Sequence, residues 1–218
     1  MEQISNPIDT TQITVAKKML ALENQVKGGI SWFFWIAGLS ILNSIIFFSG
    51  GSITFVVGLG VTQFIDGFVS VLVKDLSAGA GTVFRVIGFG LDFLFAAVFA
   101  AGGILGRKKI RWAVIVGMVL YGFDGLLTLA FGDWFSTLFH VLALVGLWNG
   151  QKAIAELILL ERSQSSGDFA SLQKLIAEKP PVDTATYQKN IIRFSLIIII
   201  PFLLLLAFLV IMTLISSR

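Results

Sequence analysis

Three aspartates stand near the middle of long apolar runs, in the strings Phe64-Ile65-Asp66-Gly67-Phe68-Val69, Gly90-Leu91-Asp92-Phe93-Leu94-Phe95 and Gly122-Phe123-Asp124-Gly125-Leu126-Leu127. A carboxyl group in hydrocarbon must be paired, hydrogen-bonded or wet, and such groups line proton and ion pathways when they are not fixing helix contacts. Arg85 precedes Asp92 by seven residues, two helical turns, and so shares its face; it is placed to pair with Asp92 or, across helices, with Asp66. His140, the sole histidine, adds a hydrogen-bonding group that titrates near neutral pH. Asp66, Asp92, Asp124, Arg85 and His140 therefore form the candidate polar site of the chain. The site reads in two ways, as a proton or cation pathway or as interhelical hydrogen bonds that fix the packing, and the second reading carries more weight.

Other chemistry finds little support. Ser136 and His140 lie four apart on one helix, but a serine nucleophile also needs oxyanion donors, and no GxSG turn is present. Gly58-Leu59-Gly60 and Gly79-Ala80-Gly81 lack the strand and helix of a dinucleotide site. No GxxxxGK[ST] or HExxH string occurs, and Glu156 with Glu161 resembles a catalytic pair in composition alone. With zero cysteines a disulfide framework, a thiolate metal site and a cysteine nucleophile are excluded. No catalytic residue, metal site or cofactor is assigned.

These residues are carried by an unusually apolar chain. Of 218 residues, 56% are hydrophobic and 13% charged, with a mean hydropathy of +0.89; about 25% charged is usual for a soluble domain. Six apolar runs follow, at 29–49, 53–73, 83–106, 112–131, 134–148 and 194–215, each to be weighed against the roughly 20 residues that cross a bilayer as a helix. Trp32, Trp35, Trp112, Trp134 and Trp148 sit near run ends, as interfacial rings do. An aspartate at a helix centre costs about 2.5 to 3.5 kcal/mol, and each Leu, Ile, Phe or Val returns roughly 0.3 to 0.6, so insertion of the aspartate-bearing runs is not in question.

Charge decides the topology. If all six runs cross with the amino end inside, six basic residues face the cytoplasm and ten face outward; if 53–73 enters and leaves on the outer side, the division becomes 13 in and 3 out. The positive-inside tendency favours the second arrangement. The run 53–73 also carries a polar stripe, Thr62, Asp66, Ser70 and Lys74, at every fourth position. The predicted fold is an all-α integral membrane protein, a bundle of five transmembrane helices plus one half-inserted (re-entrant or interfacial) helix, with six crossings as the alternative.

The domain reading is a cytoplasmic amphipathic tail over 1–28, a membrane bundle over 29–150, a cytoplasmic helical hairpin over 151–193 and a final transmembrane helix over 194–218. The tail reads as uncleaved, since its first long apolar run begins only at Gly29. Small residues one turn apart, Ser40 with Ser44, Ala96 with Ala100, Ala97 with Ala101 and Gly102 with Gly106, mark close helix packing and nominate 83–106 as the central helix. The net charge of +3 is explained by membrane orientation rather than nucleic acid. The expected partners are the lipid bilayer and other membrane subunits or further copies of the chain. The expected location is a bacterial cell (inner) membrane with the amino end in the cytoplasm. The function these features favour is a non-enzymatic packing or assembly subunit, with a proton, cation or small-solute transporter or channel as the alternative and an intramembrane lipid enzyme behind both.

Overall fold

The computed structural model describes residues 7–50 and 58–177. Their order is α1 (Pro7–Phe48), α2 (Gly60–Leu72), a 3-10 turn (Val73–Asp75), α3 (Ala78–Arg107), α4 (Arg111–Ala130), α5 (Trp134–Ser165) and α6 (Phe169–Ala177), with no strand among the described residues. Four of these helices, α1 from Gln12 onward, α3, α4 and α5, are long and apolar enough to cross a membrane. At 13 residues α2 is too short to do so, because 1.5 Å per residue gives about 20 Å against about 30 Å of hydrocarbon. The expected final span at 194–215 lies outside the described residues, as do 1–6 and 51–57.

The chain divides into two compact units, Leu22–Phe169 and a second formed by Met1–Ala21 with Ala170–Arg218. In the second unit Val15, Lys18 and Leu172 are buried, and the Lys18 ammonium donates to the Leu175 carbonyl. The expected boundary between an amphipathic tail and a first span is not a break in the backbone. Gly28 and Gly29 are helical, and α1 continues through them for 42 residues in all.

Breaks fall where the sequence supplies a turn. Gly132 takes φ +75° between α4 and α5, and Asp133 then caps α5 by accepting from the Ser136 amide at 3.0 Å. Gly167 (φ +68°) lies in the short link between α5 and α6. Lys109 takes φ +62° without being glycine, between α3 and α4, and its ammonium pairs with Glu161.

The unit Leu22–Phe169 buries a set of polar groups within an apolar core that includes Ile30, Phe33, Leu147 and Leu157, and it is apolar without. Ser40, Ser44, Thr62, Asp66, Asp92, Asp124, Thr128, Ser136 and His140 are buried, while Phe84, Phe93, Phe123, Trp134 and Phe135 are exposed. Contiguous apolar surface on this scale is foreign to soluble monomers and is compatible with a multi-pass bundle in lipid.

Helix α1 meets α3, α4 and α5 in this unit. Gly29 packs on Gly150, so that a Cβ on Gly29 would stand 2.5 Å from the Gly150 Cα, and Trp32 lies over Gly146. Phe33 seats against Gly102 of α3 and Gly117 of α4, and Ser44 reaches Asp92. The expectation that 83–106 is central is corrected here: α3 is the least covered of the four long helices. Its buried residues, Gly81, Gly88, Asp92, Ala96, Phe99, Gly102, Gly103 and Gly106, draw a single stripe, and Ala97 with Ala101 faces outward. Small residues identify a face that accepts a neighbour; they do not say how many faces are covered.

Candidate functional site

The short helix α2 begins inside the unit, where its first amide groups meet no water. A helix leaves its first N–H groups without intrahelical partners, and in an apolar setting each must be satisfied or costs free energy. Here they are satisfied in trans. The Leu59 amide donates to the Ser40 hydroxyl at 2.7 Å, and Ser40 donates onward to the Ile36 carbonyl at 2.7 Å. The Gly60 and Val61 amides donate to Oδ2 and Oδ1 of Asp124 at 2.7 and 2.8 Å. The carboxyl group of one helix thus caps another, where the positive end of the peptide dipoles favours it.

This close approach needs glycine at position 60. A Cβ there would lie 2.5 Å from Cγ2 of Thr128, one turn after Asp124 on α4. Thr128 is turned toward its own helix, donating to the Gly125 carbonyl at 2.9 Å and meeting Thr137 at 3.1 Å.

The third partner of Asp124 is His140, whose Nε2 stands 2.8 Å from Oδ2. Nδ1 lies 2.7 Å from the Ser136 carbonyl. A carbonyl only accepts, so Nδ1 carries a proton and a second proton lies between Nε2 and Oδ2. Tyr121 stacks on the imidazole at 4.2 Å and 19°, and Phe99 packs edge-on against Tyr121. Gly125 makes room for the ring, since a Cβ there would stand 3.0 Å from that of His140. His140 is 1% accessible and Tyr121 fully buried.

Asp66 and Asp92 form a separate centre. The packing of Gly88 on Val69 and Ile65 brings Asp92 of α3 beside Asp66 of α2, and the Ser44 hydroxyl donates to Oδ2 of Asp92 at 2.9 Å. Oδ1 of each aspartate is buried without a hydrogen-bond partner. Helices α2 and α3 close tightly beside them, as a Cβ on Gly88 would lie 2.9 Å from Val69.

The five residues singled out from sequence therefore do not gather at one point. Asp124 joins His140 at the start of α2, Asp66 joins Asp92 farther along it, and Arg85 lies on the exposed side of α3. Ser136 and His140 make no nucleophile and base: the Ser136 hydroxyl donates to Asp133 at 2.5 Å, and His140 faces the Ser136 carbonyl. Among the described residues no group of three or more acidic, histidine or cysteine side chains is placed to hold a metal.

Several contributors escaped the sequence reading. Tyr121 precedes Asp124 by three residues and shares its face, a spacing that could have nominated it. Ser40 and Ser44 were read as small packing residues, yet their hydroxyls hold α2 and Asp92. Gly146 and Gly150 form a GxxxG spacing that predicts the observed crossing with Gly29. A groove of about 440 Å³ lies beside α2 and α4, lined by Phe64, Phe68, Val71, Leu127 and Phe131. No family model matches the chain, and no curated protein or solved structure is significantly similar to it.

Proposed function

We propose that the chain is a non-enzymatic multi-pass membrane protein that serves as a packing or assembly subunit. The observation that carries this reading is the state of Asp124, the most elaborately bound of the central groups. Its carboxyl accepts from two α2 amides and meets His140 in a largely buried interface, so three of its contacts are spent on holding helices together. Groups so engaged fix helices against one another rather than convey a ligand.

In this reading five helices cross and α2 is half-inserted, with the amino end cytoplasmic in a membrane such as the bacterial inner membrane. The 13 to 3 division of basic residues supports that orientation, and the length of α2 supports half-insertion. The partner face is on α3, where the Ala97 and Ala101 pair points away from the bundle on the least covered long helix. Outside hydrocarbon contact, such a pair suits a second helix at close range.

Crosslinking in native membranes, followed by sizing of the purified protein, tests the proposal. A neighbouring subunit or a stable homo-oligomer is the expected result, weakened by Ala101→Leu. A monodisperse monomer with no crosslinked neighbour contradicts it. A second reading, transport of protons, cations or a small solute, draws on the incompletely bonded Asp66 and Asp92. Liposome flux that is unchanged by Asp66→Asn, Asp92→Asn and Asp124→Asn would remove that reading.

A further inference from the structure

Asp66 and Asp92 are almost wholly buried, at 3% and 1% accessible, and each leaves Oδ1 without a partner. Ser44 donates to Asp92, whereas the buried Gln63 amide nitrogen, three residues before Asp66 on α2, has no hydrogen-bond partner and so donates to neither aspartate. Ionised carboxylates accept and cannot donate, so two of them cannot hydrogen-bond to each other. One added proton converts the same contact into an O–H···O⁻ hydrogen bond, which is short and strong.

The charged surroundings offer no substitute. Among the described residues, α1 brings the uncharged Ser44 to the pair, and the buried charged residues of α2 and α3 are the two aspartates themselves. Lys74 and Asp75 at the far end of α2 and Arg85 on α3 are exposed, and Asp124 is engaged at the α2 amino end. A metal ion is less suited than a proton. Hard cations take about six to eight oxygens, more than two carboxyls and one hydroxyl provide, and the contact between Gly88 and Val69 closes the helices beside the pair.

We propose that the Asp66 and Asp92 pair is a binding site for a single proton, and that the bound proton holds α2 against α3. With the proton present the pair carries one negative charge and one hydrogen bond. Its removal leaves two carboxylates facing each other in a low-dielectric interface, and their repulsion drives the helices apart. The site is thus a proton-dependent clasp on the one described helix of the unit too short to span the bilayer, and it operates whether or not the chain assembles with a partner.

Infrared spectroscopy of the full chain in lipid nanodiscs, across a pH series, reads the proton directly. The wild-type protein should show, at neutral pH, a buried protonated-carboxyl carbonyl band that is lost at alkaline pH. That band should vanish in both Asp66→Asn and Asp92→Asn and persist in Asp124→Asn. Absence of the band from the wild type at neutral pH overturns the proposal, a result that needs no variant to fold. Loss of the band on adding sodium chloride at constant pH assigns the site to a cation and also overturns it.

The clasp has its own readout. Since the chain has zero cysteines, spin labels at Phe68→Cys and Phe93→Cys, both exposed, report the separation of α2 and α3. A narrow distance distribution at neutral pH should broaden and lengthen at alkaline pH. In the Asp66→Asn background, where the amide donates to Asp92, it should stay narrow throughout. A distribution insensitive to pH in the wild-type background overturns the clasp.

Discussion

Two carboxyl centres hold the same short helix and solve opposite problems. At its amino end α2 offers donors, and Asp124 answers with acceptors: the Gly60 and Val61 amides and His140 engage both of its carboxyl oxygens. Farther along, Asp66 meets Asp92, acceptor against acceptor, with the Ser44 hydroxyl donating to Asp92 and Oδ1 of each aspartate left without a partner. The first centre is complete as it stands, and the second is complete only when a proton is bound. What matters for a buried carboxyl is therefore less its depth than the balance of donors around it.

Removing Asp124 should do the most damage. Asp124→Ala strands two helix-initiating amides and the His140 imidazole in a largely buried interface, and the loss should be about 3 to 5 kcal/mol, read as a drop in thermal midpoint or outright failure to recover folded protein. Gly60→Ala comes next. Its Cβ would drive into Thr128 and lift α2 from Asp124, at about 1 to 3 kcal/mol, and equilibrium unfolding in mixed micelles measures it.

Ser44→Ala removes one donor from the second centre and should lower stability by about 1 kcal/mol. The same unfolding assay applies, and the loss should grow with pH as the remaining proton becomes the only link. Asp66→Asn should have the smallest effect, within about 0.5 kcal/mol of wild type at neutral pH, because the amide N–H replaces the shared proton. If Asp66→Asn were as damaging as Asp124→Ala, the contrast between the centres would collapse.

How much of this was legible in the sequence varies by feature. Helix periodicity and apolar runs located α3, α4 and the start of α5 closely, because spans are local properties of the chain, whereas α5 continues to Ser165, past the apolar run that ends at 148. The aspartates stood out because each breaks an apolar run, and burial of all three follows from what hydrocarbon requires of a carboxyl. Their partners did not follow. That Asp124 would cap α2, 64 residues from Gly60, depends on the path of a helix between others, and no spacing within one helix encodes it.

Arg85 illustrates the same limit from the other side. Two turns before Asp92 it shares a nominal face, yet it sits on the exposed part of α3. The stretch of α3 around it, residues 82–87, is exposed throughout, so a shared face with Asp92 does not bring the arginine under a neighbouring helix. The packing of α1 was also hidden: Gly29 and Phe33 gain their meaning from Gly150, Gly102 and Gly117 on three other helices. Small residues gave the faces, whereas only the assembled unit gave the partners.

The most direct measurement is a side-by-side thermal unfolding of Asp124→Asn and Asp66→Asn in the same lipid nanodiscs at neutral pH. Asn at position 124 would turn an amide toward helix donors, so its midpoint should fall by several degrees, on the scale of about 2 to 4 °C per kcal/mol for a chain of this size, while Asp66→Asn should match the wild type. Equal losses in the two variants, or a larger loss at Asp66, would contradict the account that one centre is complete and the other awaits a proton.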